Sequence, residues 1–135
     1  MSTKKKKETS NKVPFSGQAL ALVTDFYTKE TNTNDANAFV DFFHYPVETY
    51  FRETNVNKSK ILQDKENYFK EWKNRTYTNI TTTLVSCNNN EAKVKISFNY
   101  EINNGKKTLK GVSKHLLTII KVKEKALISK VEVFK

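Results

Sequence analysis

The chain has 135 residues, 37% of them hydrophobic and 28% charged, and its 24 basic against 14 acidic residues give a net charge of +10. This length suits one domain with a sizeable core and is too short for two. A single cysteine, Cys87, excludes an intramolecular disulfide and a cysteine-based metal cluster.

Residues 1–14 are predicted to form a disordered basic tail, because they are rich in lysine and poor in apolar side chains. One domain is then predicted over 15–135. Ser16, Gly17 and Gln18 interrupt the apolar residues that follow the tail, so the sequence offers neither a signal peptide nor a membrane span. A cytoplasmic protein is the default interpretation. The alternative is a trimmed part of a longer anchored or secreted protein.

Two helices are predicted in the first part of the domain. The first begins with Ser16 as its N-cap, and the second is short and is capped by Asn34 or Asp35. Apolar residues recur at helical spacing in both. The two stripes are Ala19, Leu22, Val23, Phe26 and Tyr27, then Ala36, Phe39, Val40 and Phe43.

A strand and an aromatic helix follow. From Val47 to Asn55 apolar and polar residues alternate with period two, which predicts one strand with a buried face. Asn57 is a suitable N-cap for a third helix over 58–73. Its apolar stripe predicts that it lies across a sheet and consists of Ile61, Leu62, Tyr68, Phe69 and Trp72.

Four antiparallel strands are predicted in the second half, over 77–87, 92–102, 109–122 and 126–134. Asn103, Asn104 and Gly105 supply the residues of a tight hairpin turn. The alternation slips after Val112, which predicts a bulge near Gly111. In the last strand, one face is predicted to hold Leu127, Val131 and Val133, and the other Ile128 and Phe134.

The segment 45–77 holds a pattern of proline, aromatic and charged residues: Tyr45, Pro46, Val47, Val56, Asn57, Ile61, Leu62, Asp64, Lys65, Tyr68, Phe69, Trp72, Arg75 and Tyr77. This pattern resembles a bacterial accessory-domain branch of the nuclear transport factor 2-like superfamily. Tyr45 stands where that branch usually has an acid, and Lys73 where it usually has proline. A role of that acid is therefore not carried over to this chain.

The resemblance implies an α+β cone. Three N-terminal helices would pack in the concavity of a curved mixed or antiparallel sheet, with a pocket at the open end. Members of the superfamily include ketosteroid isomerases and scytalone dehydratase, and many others are noncatalytic modules. We therefore expect a noncatalytic ligand-binding or protein-interaction module that takes a small apolar ligand. A homodimer would form through the outer face of the sheet, at residues such as Thr82 or Val112.

Aromatic side chains with polar tips are the predicted pocket wall, because small-molecule sites combine apolar surface with a few polar groups. The predicted set is Tyr27, His44, Tyr50, Tyr68, Trp72, Tyr100 and His115. If the protein were an enzyme, His44 or His115 would act with Tyr100, since histidine titrates near neutral pH. Each histidine also has a structural interpretation, His44 at a helix C-terminus and His115 as a hydrogen-bonded sheet residue.

Acidic residues are absent from the strand positions predicted to face inward, Ile96, Phe98 and Tyr100. Asp64 is expected to fix a loop or to pair with Arg75. No residues have the spacing of a metal site, and no cofactor is expected.

Two alternatives remain open from the sequence. One is a small isomerase or dehydratase-like enzyme that uses the cone pocket. The other is a nucleic-acid or anionic-surface binder that works through the tail and scattered lysines, since basic residues attract phosphates without reading sequence. The chain has only two arginines, Arg52 and Arg75, and no recognisable reader motif.

Overall fold

The computed structural model of the protein describes residues 13–134, so nearly all of the predicted basic tail, residues 1–14, lies outside the described residues. Two α-helices, two short 3₁₀ segments and six strands follow one another. They are α1 (Phe15–Glu30), the 3₁₀ segments Ala36–Ala38 and Val40–Phe42, β1 (Val47–Tyr50), β2 (Glu53–Val56), α2 (Lys58–Glu71), β3 (Asn74–Cys87), β4 (Glu91–Asn103), β5 (Thr108–Val122) and β6 (Lys125–Val133). The predicted α+β class is confirmed, with two differences in the elements before α2.

One mixed sheet has the strand order β2-β1-β6-β5-β4-β3. All neighbours are antiparallel except β1 and β6, which run parallel. Helix α1 packs against β3, β4, β5 and β6, and this defines the inner face of the sheet. Helix α2 packs against the two 3₁₀ segments. Within residues 13–134, no helix has the length and apolar character needed to cross a membrane.

The two α-helices begin differently, α2 at a side-chain cap and α1 without one. Asn57 accepts a hydrogen bond from the backbone N–H of Lys60 at 3.0 Å, as predicted for the start of α2. In contrast, α1 begins at Phe15 after an extended Pro14, and the predicted cap Ser16 makes no capping bond. Proline can stand at such a start because its missing N–H is not needed there.

The predicted second helix consists of two consecutive 3₁₀ segments. Asp35 caps the first by accepting from the backbone N–H of Asn37 at 3.0 Å. Phe43, expected to continue the helix, is extended and forms an isolated bridge to Ile128 of β6. Pairing with the sheet therefore ends the helical conformation.

The single strand predicted between Val47 and Asn55 is a hairpin of β1 and β2. Tyr50 pairs with Glu53, and Phe51 turns the chain with a φ of 59°. The backbone N–H of Phe51 donates to the carbonyl of Val131 at 2.7 Å, which holds the turn against β6. Because the alternation of residues continues through the turn, the local pattern contains no signal for it.

The bulge predicted near Gly111 is wrong, because β4 and β5 pair there in unbroken register. Gly111 instead accommodates the ring of Tyr100: a Cβ at this position would lie 2.6 Å from the Tyr100 hydroxyl oxygen. A register shift occurs instead between β5 and β6, where Thr118 pairs with Lys130 but Ile119 pairs with Ile128, which leaves Ser129 as an extra residue of β6. That shift changes the buried face of β6.

The predicted faces of β6 are consequently wrong. Ala126, Ile128 and Val131 are buried, while Leu127 is half-buried and Val133 is exposed. The slip in pairing, and not simple alternation, decides which residues enter the core.

Candidate functional site

A cavity of about 320 Å³ opens between the two helices and the inner face of the sheet. Its wall is mainly aromatic and is formed by Phe26, Tyr27, Tyr50, Phe51, Tyr68, Tyr77, Phe98 and Tyr100. Its polar members include Glu30, Asp64, Lys65, Ser113 and His115. The arrangement is an apolar chamber with a few grouped polar atoms, which is typical of small-molecule sites.

Five of the seven predicted pocket residues line this cavity: Tyr27, Tyr50, Tyr68, Tyr100 and His115. They come together because inward-facing positions of β4 and β5 oppose the buried stripes of α1 and α2. Tyr27 and His115 are 88 residues apart in the chain, and the packing of α1 on the sheet brings them into contact.

His44 and Trp72, the other two predicted residues, do not line the cavity. His44 follows the bridge at Phe43, and its backbone N–H donates to the carbonyl of Ile128 at 2.9 Å. Trp72 is the C-cap residue that follows α2, and it is buried there. Its carbonyl accepts a hydrogen bond from Arg75 at 2.6 Å. His44 and His115 therefore do not form the acid–base pair that a shared cavity would have allowed.

Tyr27 and His115 form a buried polar pair. The hydroxyl of Tyr27 lies 2.7 Å from Nδ1 of His115. Burial lowers the pKa of His115 to about 4, a shift that nearby Glu30 opposes and Lys65 reinforces. The imidazole is therefore neutral at neutral pH. Burial also raises the pKa of Tyr27 well above its usual value, so that hydroxyl is neutral too.

Glu30 and Lys65 form a buried ion pair, with 7% of each side chain exposed. The second carboxylate oxygen of Glu30 accepts from the Tyr77 hydroxyl at 2.7 Å. The Tyr77 hydroxyl in turn lies 2.8 Å from that of Tyr68. Burial and the charge of Glu30 raise the pKa of Tyr77, and burial raises the pKa of Tyr68 to about 12.

Asp64 accepts a hydrogen bond from Tyr50 at 2.5 Å. The expected pairing of Asp64 with Arg75 is therefore wrong. Arg75 donates instead to the backbone carbonyls of Glu30 and Trp72, each at 2.6 Å. A guanidinium with several fixed donors suits this task, because it satisfies carbonyls at the ends of both helices at once.

Glu30 and Lys65 were missed as site residues, although a signal for both was present. Glu30 follows Tyr27 by three residues, so it extends the buried stripe of α1. Lys65 lies midway between Ile61 and Phe69 on the buried stripe of α2. Both acids of the cavity, Glu30 and Asp64, therefore come from helices and not from the inward-facing strand positions.

No group of three or more metal-binding side chains occurs among residues 13–134. The polar atoms of the cavity are used in hydrogen bonds among themselves or remain available to an organic molecule. Chemically, the arrangement can bind a compact molecule and offer it a few oriented hydrogen-bonding groups.

No family model and no curated protein matches the sequence. Solved structures do match the fold. A candidate dehydratase from the NTF2-like family of Streptomyces avermitilis has a TM-score of 0.67 at 10% identity, with 85% of this chain and 91% of that chain covered. The chain has the nuclear transport factor 2-like fold.

Two further structures share this nuclear transport factor 2-like fold. A candidate aromatic ring hydroxylase from Novosphingobium aromaticivorans has a TM-score of 0.69 at 8% identity, covering 90% of each chain. A candidate calcium/calmodulin dependent protein kinase II association domain from Xanthomonas campestris has a TM-score of 0.60 at 13% identity, covering 83% of this chain and 85% of that chain. The resemblance seen in the sequence is thus confirmed as a shared fold.

Proposed function

We propose that this protein binds a small, largely apolar molecule in the cavity and does not convert it. The observation that carries the proposal is the cavity itself, about 320 Å³ walled mainly by aromatic side chains. This volume lies at the low end of the range of about 300–1,000 Å³ that is usual for small-molecule sites. Aromatic rings supply most of the binding surface, and the hydroxyls and His115 orient the ligand.

Binding without catalysis is favoured by how the titratable groups are already used. Both carboxylate oxygens of Glu30 are engaged, one by Lys65 and one by Tyr77. Asp64 already accepts from Tyr50. With a pKa near 4, His115 is a weak base at neutral pH. General-base catalysis works best when the pKa of the base lies near the operating pH.

A small isomerase or dehydratase-like enzyme is the second candidate. The specific observation in its favour is the 2.7 Å contact between Tyr27 and His115 at the cavity wall. Two structures with a similar fold, described as a dehydratase and a hydroxylase, also favour this candidate. His115 and Tyr100 would be the acting residues. If turnover of a ligand were found, His115→Gln should abolish it while preserving ligand affinity.

The binding proposal is tested with N-phenyl-1-naphthylamine, a neutral fluorophore that brightens in apolar cavities. We expect saturable fluorescence with the wild-type chain. Ser113→Phe places a ring in the cavity and should abolish the signal. Val112→Phe is the matched control, because Val112 is the neighbouring residue of β5 but is 60% exposed.

Both variants should be shown to be folded by circular dichroism. Loss of fluorescence in Ser113→Phe with retention in Val112→Phe supports binding in the cavity. Equal binding by both variants places the fluorophore elsewhere and contradicts the proposal, as does the absence of any saturable signal with the wild-type chain.

A further inference from the structure

The hydrogen bonds along one side of the cavity run in a fixed direction. The carboxylate of Glu30 is ion-paired with Lys65 and can only accept hydrogen bonds. Tyr77 donates its single hydroxyl hydrogen to this carboxylate. The 2.8 Å contact between Tyr68 and Tyr77 must then use the hydrogen of Tyr68. Tyr68 has no hydrogen left for a ligand and presents only lone pairs to the cavity.

The same reasoning applies to Tyr50. Its hydroxyl donates to the carboxylate of Asp64 at 2.5 Å, so it also offers a ligand only lone pairs. Asp64 accepts this one hydrogen bond from Tyr50 and can accept others from a ligand, since a carboxylate can accept several. This side of the cavity is therefore rich in acceptors.

His115 supplies a donor at another point of the wall. Tyr27 has no other acceptor for its hydroxyl hydrogen among the described residues, so it donates to Nδ1 of His115. The reverse arrangement would leave a buried hydroxyl hydrogen unpaired, which is costly. Because the imidazole is neutral, its remaining hydrogen is on Nε2, which has no partner within residues 13–134.

The charges of the wall leave one negative charge in excess. Glu30 and Lys65 balance each other within their ion pair. His115 is neutral, and Asp64 is the remaining charged group of the lining. A ligand that is neutral or singly positive therefore suits the cavity, and a carboxylate would meet both the charge of Asp64 and the lone pairs of two tyrosines.

We propose that the cavity selects arylalkyl amines and alcohols, whose polar group is on a short chain attached to an aromatic ring, and excludes the corresponding carboxylates. This inference rests on the proposed binding function and adds the chemical class of the ligand. An amine or hydroxyl group donates to Tyr68, Tyr50 or Asp64. A hydroxyl can also accept from Nε2 of His115.

The test compares four probes that share one ring system: naphthylethylamine, naphthylethanol, naphthylacetate and ethylnaphthalene. Dissociation constants are measured by calorimetry or by displacement of the fluorophore. We expect the amine and the alcohol to bind at least roughly tenfold more tightly than the carboxylate, because unpaired cavity acceptors cost affinity. Ethylnaphthalene has no polar group, so its dissociation constant measures the contribution of the apolar wall alone.

Two variants with matched controls locate the selectivity. Asp64→Asn should reduce the preference for the amine over the alcohol at least roughly threefold, whereas Asp41→Asn should not, since Asp41 is an exposed acid outside the cavity. Tyr68→Phe should weaken the amine and the alcohol but not ethylnaphthalene. Tyr45→Phe should leave the affinities of the amine and the alcohol unchanged, because the Tyr45 hydroxyl donates to the carbonyl of Val40 away from the cavity.

The outcomes separate the two proposals. If naphthylacetate binds as tightly as the amine, the ligand class is wrong while cavity binding stands. The ligand class is also wrong if Asp64→Asn and Tyr68→Phe leave every ratio unchanged. If the folded wild-type chain binds none of the four probes, including ethylnaphthalene, the binding function and the inference fail together.

Discussion

At the scale of single residues, Glu30 and Lys65 are the least expected feature of the molecule. Charged residues are seldom this deeply buried unless they are paired. Lys65 also lies over the rings of Phe26 and Phe39, with its Nζ 4.8 and 5.5 Å from their centroids. The ion pair therefore joins α1 to α2 at the wall of the cavity.

We predict that Lys65→Met destabilises the protein by about 3–5 kcal/mol, because it leaves the charge of Glu30 buried and unpaired. The double variant Glu30→Gln/Lys65→Met should recover much of this loss, since no buried charge then remains. Urea unfolding measures the free energy of unfolding for each protein.

The exposed pair of Lys60 and Glu53, 3.7 Å apart, provides the control. Lys60→Met should cost no more than about 1 kcal/mol, because solvent screens an exposed pair. Similar losses for Lys65→Met and Lys60→Met would show that the buried pair has no special role in stability.

The pKa of His115 predicts how stability depends on pH. The unfolded chain takes up a proton on this residue near pH 6.5, while the folded chain does so only near pH 4. The unfolded state therefore binds more protons between these values, and the free energy of unfolding must fall as the pH is lowered through this window. Above pH 6.5 the imidazole is neutral in both states and does not lower the free energy of unfolding.

The expected loss from this residue is up to about 3 kcal/mol by pH 4. His115→Gln should flatten the slope between pH 6.5 and 4 relative to the wild-type chain, as measured by urea unfolding at each pH. The charged neighbours Glu30 and Lys65 are common to both proteins, so the difference isolates the histidine. Parallel pH profiles would contradict a depressed pKa.

At the scale of elements, the two helix starts give a direct comparison. Asn57→Ala should cost about 1 kcal/mol, because it removes the side-chain acceptor of the Lys60 N–H at the start of α2. Ser16→Ala should change the free energy of unfolding by less than about 0.5 kcal/mol, because Ser16 makes no capping bond. Thermal or urea unfolding measures both, and a larger loss for Ser16→Ala would contradict the assigned start of α1.

Elements whose features are local were the most predictable. The cap at Asn57, the stripe of α2 and the alternation of β4 are set by neighbouring residues. The hairpin at Phe51 and the bulge at Ser129 of β6, opposite Thr118 and Ile119, depend on pairing with distant strands. Neither leaves a signature in the local pattern, so neither was predicted.

At the scale of the whole molecule, the predicted homodimer through the outer face of the sheet stays a prediction. Val112 is 60% exposed on that face. Thr82, the other residue expected there, pairs directly with buried Ile96 and so occupies an inner-face position. Only Val112 of the two remains a candidate contact.

We expect light scattering to give a dimer mass for the wild-type chain that persists in high salt, since apolar contacts are not screened. Val112→Glu should yield a monomer, because a charge would be buried in the interface. Val13→Glu is the control, an exposed valine that precedes α1. A monomeric wild-type chain, or a dimer indifferent to Val112→Glu, would contradict this contact.

The sequence by itself determined the fold class, and five of the seven residues predicted for a pocket lie at the wall of the cavity. Periodicity and helix caps depend on residues close in the chain, so they can be recognised in the sequence. The residue pattern of 45–77 indicated the fold. Only the tertiary structure decided that Glu30 and Lys65 meet, that Tyr27 reaches His115, and that Arg75 binds carbonyls instead of Asp64. These contacts join residues 35, 88 and 45 positions apart, and their geometry exists only once the sheet and both helices have packed.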